Sequence, residues 1–213
     1  MAKTERKKMP TERTSHWDSV YSTKGENEVS WFEVSPELSM ALLAEAGATP
    51  ASAIIDIGGG ASRLVDTLIA AGQAHVSVLD LSASALDLAR TRMPATDRVE
   101  WIMSDVTTWH PTRVYDIWHD RAAFHFLTAQ ADQKKYTEVM TQALAEGGKA
   151  VIGTFAPDGP EKCSGLEIAR HDAGSLQAIF GTGFKLLATR RHDHTTPWGT
   201  VQKFQFSTFA KLG

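Results

Sequence analysis

Apolar positions along this chain switch repeatedly between a continuous or alternating run and a helical spacing, and that switching predicts strands separated by helices. Ser52 to Ile57 reads as a buried parallel strand, and from Ser62 onward Leu64, Val65, Leu68 and Ile69 recur at helical spacing. His75 to Leu81 is a second strand. Ser82 caps the next helix, which carries Leu86, Ala89 and Met93 on one side and ends at Pro94, a residue without a backbone donor. Val99 to Met103 and Tyr115 to Trp118 are the third and fourth strands. The clearest helical period follows, with Tyr136, Val139, Met140, Ala143 and Leu144 on one face, and Gly147-Gly148 then lead into a fifth strand, Lys149 to Phe155. Ahead of the first strand, Ser35-Pro36-Glu37 is a helix start with serine as cap, proline first inside and an acid in the first turn. Beyond Phe155 the pattern loosens through Ala156 to Gly165. A short helix spans Ser175 to Phe180, and two β-rich segments, Phe184 to His192 and Thr200 to Lys211, are joined closely enough for an antiparallel return.

This layout predicts a single α/β domain with a doubly wound sheet, and 213 residues suffice for one such domain but not for two ordinary ones. Met1 to Thr14 carries Lys3, Arg6, Lys7, Lys8 and Arg13 with almost nothing apolar, so residues 1–14 are predicted to be a disordered basic tail and 15–213 the domain. Within 15–34, Trp17, Tyr21, Trp31 and Phe32 crowd an otherwise polar segment that either lies over a ligand as a lid or anchors an extension to the core. A net charge of −3 gives no cause to expect nucleic acid or an anionic membrane as partner. No apolar run approaches the roughly 20 residues of a membrane span, and the basic start leads into no signal core, so a cytoplasmic monomer is expected.

The chemistry concentrates at strand ends. Asp56-Ile57-Gly58-Gly59-Gly60 closes the first strand, and glycines there permit positive φ and close approach of a ligand to the backbone. Asp80 ends the second strand and Asp105 follows the third, so the three acids lie 24 and 25 residues apart along one carboxyl edge, where open α/β sheets bind ligands. A dinucleotide fingerprint needs another glycine where Arg63 stands, and Asp56 would repel a pyrophosphate while suiting a ligand with an ammonium and a sulfonium. An NAD(P)-dependent oxidoreductase, like an inactive cofactor-binding module, is therefore a lesser reading.

The acid-x-Gly-x-Gly turn with its two later acids resembles the class I S-adenosylmethionine-dependent methyltransferases, over nearly the whole span from His16 to Lys211. The departure is Ser62, where many members carry another glycine. The resemblance implies a seven-stranded sheet ordered 3-2-1-4-5-7-6 with the last strand antiparallel, and S-adenosyl-L-methionine as cofactor. It places Asp56, Gly58, Gly59 and Gly60 at the methionine part, Asp80 at the ribose and Asp105 at the adenine, with Leu81, Val106 and Trp31 beside them.

The fourth strand end selects the acceptor. His119-Asp120-Arg121-Ala122 replaces the Asn/Asp-Pro-Pro-Tyr motif of enzymes that methylate base and amide nitrogens. Asp-Arg followed by small residues resembles thiopurine and thiol methyltransferases, whereas His16-Trp17-Asp18, Tyr21 and Trp31-Phe32 resemble methyltransferase-like protein-lysine enzymes. A small-molecule thiol or related chalcogen acceptor is the favoured expectation and a protein lysine the alternative. Arg121 would favour a thiolate, and Asp120 or His119 would take a lysine's proton; these three are the candidate catalytic residues. No metal site is expected, since His192 and His194 have no third ligand placed by sequence; Cys163 stands alone in the loop expected near the acceptor.

Overall fold

The computed structural model describes residues 12–213. Most of the basic stretch at the N-terminus therefore lies outside the described residues, but its end, Glu12 to Thr14, already belongs to helix α1 (Glu12–Thr23). Helix α2 (Glu37–Glu45) follows, and then the alternating units: β1 (Ala53–Ile57), α3 (Leu64–Ala70), β2 (His75–Asp80), α4 (Ala83–Arg92), β3 (Val99–Met103), β4 (Tyr115–Arg121), α5 (Gln130–Ala143) and β5 (Leu144–Phe155). Two short strands, β6 (Lys162–Cys163) and β7 (Leu166–Glu167), pair antiparallel within the stretch that reads as loose in sequence. Helix α6 (Ala173–Phe180) and the long hairpin of β8 (Phe184–Thr195) and β9 (Val201–Lys211) close the chain.

The seven-stranded sheet runs β3-β2-β1-β4-β5-β9-β8, with β9 antiparallel to both its neighbours. With the short β6–β7 pair set aside, this is the expected 3-2-1-4-5-7-6 order. Strand alternation sends Ile55, Ile57, Trp118 and Ile152 to one face, where they pack with Tyr136 and Met140 of α5 and Leu176 and Phe180 of α6. The other face buries Ile54, Val76, Val78 and Ile117 against Leu43 of α2, Leu64, Val65 and Leu68 of α3 and Leu86 of α4. Helices on both faces leave the carboxyl edge of the parallel strands as the place where loops converge.

Several boundaries differ from expectation, β5 opening at Leu144, a residue expected on the preceding helix, and three of the differences have local reasons. Helix α2 has no side-chain cap at all, Pro36 standing in the cap position. Helix α3 starts at Leu64 because Ser62 is still in the turn, its amide bonded to the Gly59 carbonyl (2.7 Å) while its hydroxyl accepts from the Leu64 amide (3.1 Å). Strand β4 runs through Arg121, three residues past Trp118, since Asp120 and Arg121 remain in register with Ile152 and Gly153 of β5.

Candidate active site

The turn after β1 is built as glycine demands. Gly58 and Gly60 take φ of +65° and +37°, and a Cβ on Gly58 would stand 2.7 Å from the Ala123 Cβ. A Cβ on Gly59 would meet an Asp56 carboxylate oxygen at 2.5 Å, and one on Gly60 would meet Asp80 Oδ2 at 2.7 Å. The far side of the turn is pinned from α4, where Arg92 donates to the Ala61 and Ser62 carbonyls (3.1 and 2.9 Å) and to both oxygens of Asp66.

The two following strand ends present carboxylates in different states. Asp80 is buried, its Oδ1 accepting from the Ser82 amide (2.8 Å). Burial pushes its carboxyl up to about 7; the Ser82 hydrogen bond opposes that and the nearby Asp56 charge adds to it. Asp105 instead folds back on its own loop, accepting from the Thr107 amide and hydroxyl (2.8 and 2.7 Å), and its other oxygen faces Arg13 of α1 at 3.6 Å.

The three residues proposed for catalysis do not converge. Because β4 continues to Arg121, Asp120 points to the face opposite that of His119 and Arg121. Asp120 is fully buried beneath α5, accepting from the Tyr136 hydroxyl (2.7 Å) and from the Ala123 and Phe124 amides (2.9 and 3.1 Å). Burial raises its carboxyl to about 6 against the pull of these bonds. The Trp118 indole donates to the same Tyr136 oxygen (2.7 Å), so Asp120 ends a closed chain of buried hydrogen bonds. His119 is equally engaged, with Nδ1 donating to Asp56 Oδ1 (2.7 Å) and Nε2 meeting the Ser39 hydroxyl of α2 (3.0 Å). Arg121 alone reaches the main cavity. Its guanidinium donates to the Trp31 carbonyl (3.0 Å), pairs with Glu33 (2.9 Å) and lies 5.6 Å from the centre of the Phe204 ring.

The main cavity, partly open to solvent, takes in about 710 Å³ and runs from the strand ends to the underside of α1. Gly58, Asp80, Leu81, Ser104 and Val106 line one end; Ala122, Ala123, Phe126, Leu127 and Cys163 line the other. Its roof is aromatic. Trp17 meets Phe126 and Trp31 edge-on (4.9 and 5.7 Å between centroids), and Trp31 donates its indole N–H to the Tyr21 hydroxyl (3.2 Å). Helix α1 is tied down by Asp18, which accepts from the Ser82 hydroxyl at 2.6 Å, and by the Arg13–Asp105 pair. A smaller adjoining cavity of about 380 Å³ takes in Asp56, Gly59 and His119 together with Glu33, Ser39, Tyr21 and Arg121.

Of the residues expected at a cofactor, Trp31, Gly58, Asp80, Leu81 and Val106 thus line the main cavity, and Asp56 and Gly59 the smaller one. Gly60 and Asp105 stand behind the walls. Sequence reasoning missed Glu33, Ser104 and Ala123, and it assigned Arg13 to the tail. Arg13, Glu33 and Ser104 carry polar side chains, as does Ser39 of the smaller cavity, also missed, and none shows a local pattern that marks it out.

Residues 54–148 match the family model described as a methyltransferase domain. Over that stretch, a little under half of the chain, the sequence is that of a methyltransferase domain. Matching in sequence to this domain are two curated proteins named trans-aconitate 2-methyltransferase. The one from Rhizobium etli is 34% identical over 105 residues, 49% of this chain and 38% of that protein. The one from Rhizobium rhizogenes is 34% identical over 118 residues, 55% of this chain and 43% of that protein. The match therefore spans about two fifths of the length of these relatives. Among solved structures, the methyltransferase domain superposes on the one reported for conversion of a disulfide bond into a thioacetal group during echinomycin biosynthesis, with a TM-score of 0.73, 17% identity and coverage of 93% and 91% of the two chains. It also superposes on the N-methyltransferase NodS of Bradyrhizobium japonicum in complex with S-adenosylhomocysteine, with a TM-score of 0.68, 15% identity and coverage of 88% and 93%. At these identities the likeness is one of fold. No helix among the described residues of the methyltransferase domain is long and apolar enough to cross a membrane.

Proposed function

We propose that this domain transfers a methyl group from S-adenosyl-L-methionine to a small-molecule acceptor whose nucleophilic atom needs no base from the protein. The donor set fits the cofactor: the bare backbone of Gly58 lines the main cavity, where a ligand can approach the main chain closely, and the buried Asp80 carboxylate in the same lining suits ribose hydroxyls. The Asp56 carboxylate at the smaller cavity suits an ammonium. When bound, the cofactor supplies a methyl carbon already activated by its sulfonium, so the chain's own task is to align the acceptor and exclude water.

The observation that carries the acceptor reading is the titratable lining of the main cavity, which consists of Arg13, Tyr21, Asp80, Arg121 and Cys163. Burial raises the Tyr21 hydroxyl far above its ordinary range and the Cys163 thiol to about 11, so both stay protonated near neutrality. Asp80 belongs to the cofactor end. His119 and Asp120 spend their hydrogen-bonding capacity elsewhere. A lysine, which must shed an ammonium proton, finds no partner for it here; a thiol, with an ordinary pKa of about 8.5, ionises by itself. The mostly aromatic roof also suits a polarizable sulfur atom. A carboxylate acceptor satisfies the same requirement, and the trans-aconitate relatives support it as the second reading.

Calorimetric titration with S-adenosylhomocysteine and with NAD tests the cofactor, and labelled cofactor offered to a panel of thiols, carboxylic acids and a cell extract tests the acceptor. Binding of the first ligand and label in a thiol are expected. NAD binding in its place, or label confined to one protein band, would overturn the proposal.

A further inference from the structure

The main cavity is lined by two guanidinium groups, and each already faces a carboxylate. Arg13 of α1 faces Asp105 (3.6 Å), the two side chains 35% and 20% exposed, and Arg121 faces Glu33 (2.9 Å) deeper inside, where the two side chains are 13% and 19% exposed. Glu33 is itself held from β8: His194 Nδ1 lies 3.4 Å from it, and His194 Nε2 donates to the Ser30 carbonyl at 2.7 Å. Burial alone would raise the Glu33 carboxyl, but the His194 hydrogen bond and the Arg121 charge hold it below its ordinary value, so it is ionised near neutrality. With the Asp80 carboxyl at the other end, the described residues of the lining offer an incoming anion no uncompensated positive charge.

We infer that Glu33 is a specificity-determining residue: by holding Arg121 in a buried ion pair it withholds the cation that a carboxylate-bearing acceptor would need, and so restricts the cavity to acceptors that enter without net charge, as a thiol does below its ordinary pKa of about 8.5. This rests on the methyltransferase reading and narrows its acceptor class away from the polycarboxylate in the relatives' name. The reason is desolvation. An anion entering an aromatic-walled site loses its hydration and regains it only from a free donor cation, whereas here it must displace a carboxylate that is covalently fixed next to Arg121. A purely structural Glu33–Arg121 tie, pinning the Trp31 segment to the end of β4, would affect stability alike for every ligand.

Ligand-observed NMR titration with benzoate and with benzyl alcohol, its neutral counterpart of similar shape, separates these cases, with and without S-adenosylhomocysteine. The unaltered protein is expected to bind benzoate no more tightly than benzyl alcohol. Glu33→Gln is expected to tighten benzoate by about tenfold or more, the equivalent of about 1.4 kcal/mol, and to leave benzyl alcohol unchanged. Adding Arg121→Gln to Glu33→Gln is expected to abolish that gain. Should Glu33→Gln fail to fold, Glu33→Asp, which draws the carboxylate back by one methylene, is expected to shift the ratio in the same direction. A preference for benzoate in the unaltered protein, a ratio untouched in the Glu33 variants, a gain that survives loss of Arg121, or no binding of either probe to any variant would overturn the inference. Failure of S-adenosylhomocysteine alone to bind would instead strike at the cofactor reading, since the probe comparison without it still reports on Arg121.

Discussion

Replacing Asp80 by asparagine is expected to make the ligand-free protein more stable while removing its affinity for the cofactor. Burial raises this carboxyl from 3.8 to about 7, and Asp56 and Asp18 add to the rise. A carboxyl whose pKa is raised on folding contributes stability that is complete below its unfolded value and is lost as pH climbs through its folded value. The window here runs from about pH 4 to about pH 7. A rise of about three units at 1.36 kcal/mol each makes the ionised Asp80 cost the fold about 4 kcal/mol at alkaline pH. Asparagine keeps a carbonyl oxygen for the Ser82 amide and carries no charge toward Asp56. Urea unfolding at pH 8.5 is therefore expected to show Asp80→Asn more stable than the unaltered protein by about 2–4 kcal/mol, with the gap closing toward pH 4.5. Calorimetry in the same buffers is expected to show S-adenosylhomocysteine bound more weakly by about 1.5–3 kcal/mol, the value of charge-assisted bonds to ribose hydroxyls. An asparagine variant no more stable than its parent at pH 8.5, or more stable by the same margin at every pH, would refute the reasoning.

Asp120→Asn is expected to behave in the opposite way. An amide cannot accept from Tyr136, Ala123 and Phe124 together, so the variant should lose about 2–4 kcal/mol at pH 4.5, or on the order of 5–15 °C in a thermal scan, and less at pH 8, where removing the buried charge offsets part of the loss. S-adenosylhomocysteine affinity should hardly change; a selective loss of turnover in a fully stable variant would restore Asp120 as a catalytic candidate. For the aromatic roof, hydrogen exchange across Glu12–Thr23 should slow when S-adenosylhomocysteine is added, and Trp17→Ala should remove that protection. Exchange indifferent to the ligand would make α1 a packing element only.

The sheet was legible because its central strands are buried on both faces and read as apolar runs, and the carboxyl-edge acids then fell at regular intervals. The end of β4 was not. His119, Asp120 and Arg121 look in sequence like a polar loop, yet each is buried or nearly so in a central strand, compensated by Asp56 and Ser39, by Tyr136, and by Glu33. Those partners sit on elements distant along the chain, the Arg121 bond to Trp31 crossing 90 residues, and no local pattern announces them. The same polarity that suggested three catalytic groups at one point was in fact distributed to two faces by strand alternation. The aromatic crowding before Pro36 was visible as composition, but which side of it faces the cavity followed only from α1 lying across α4 through Asp18 and Ser82.

The roof over the cavity also has a bearing on how such a domain diversifies. The span shared with the family model, 54–148, contains the glycine turn and the strand-end acids, whereas Trp17, Tyr21, Trp31, Glu33 and Cys163 all lie outside it. On the proposed reading, the cofactor end lies mostly within that span, whereas the acceptor end combines Arg121, Ala123 and Phe126 from it with a roof from outside it. Exchange of the aromatic segment ahead of α2 between homologues, by recombination or by hand, would give the same sheet a new clientele while α2, whose Leu43 belongs to the interior, stays in place.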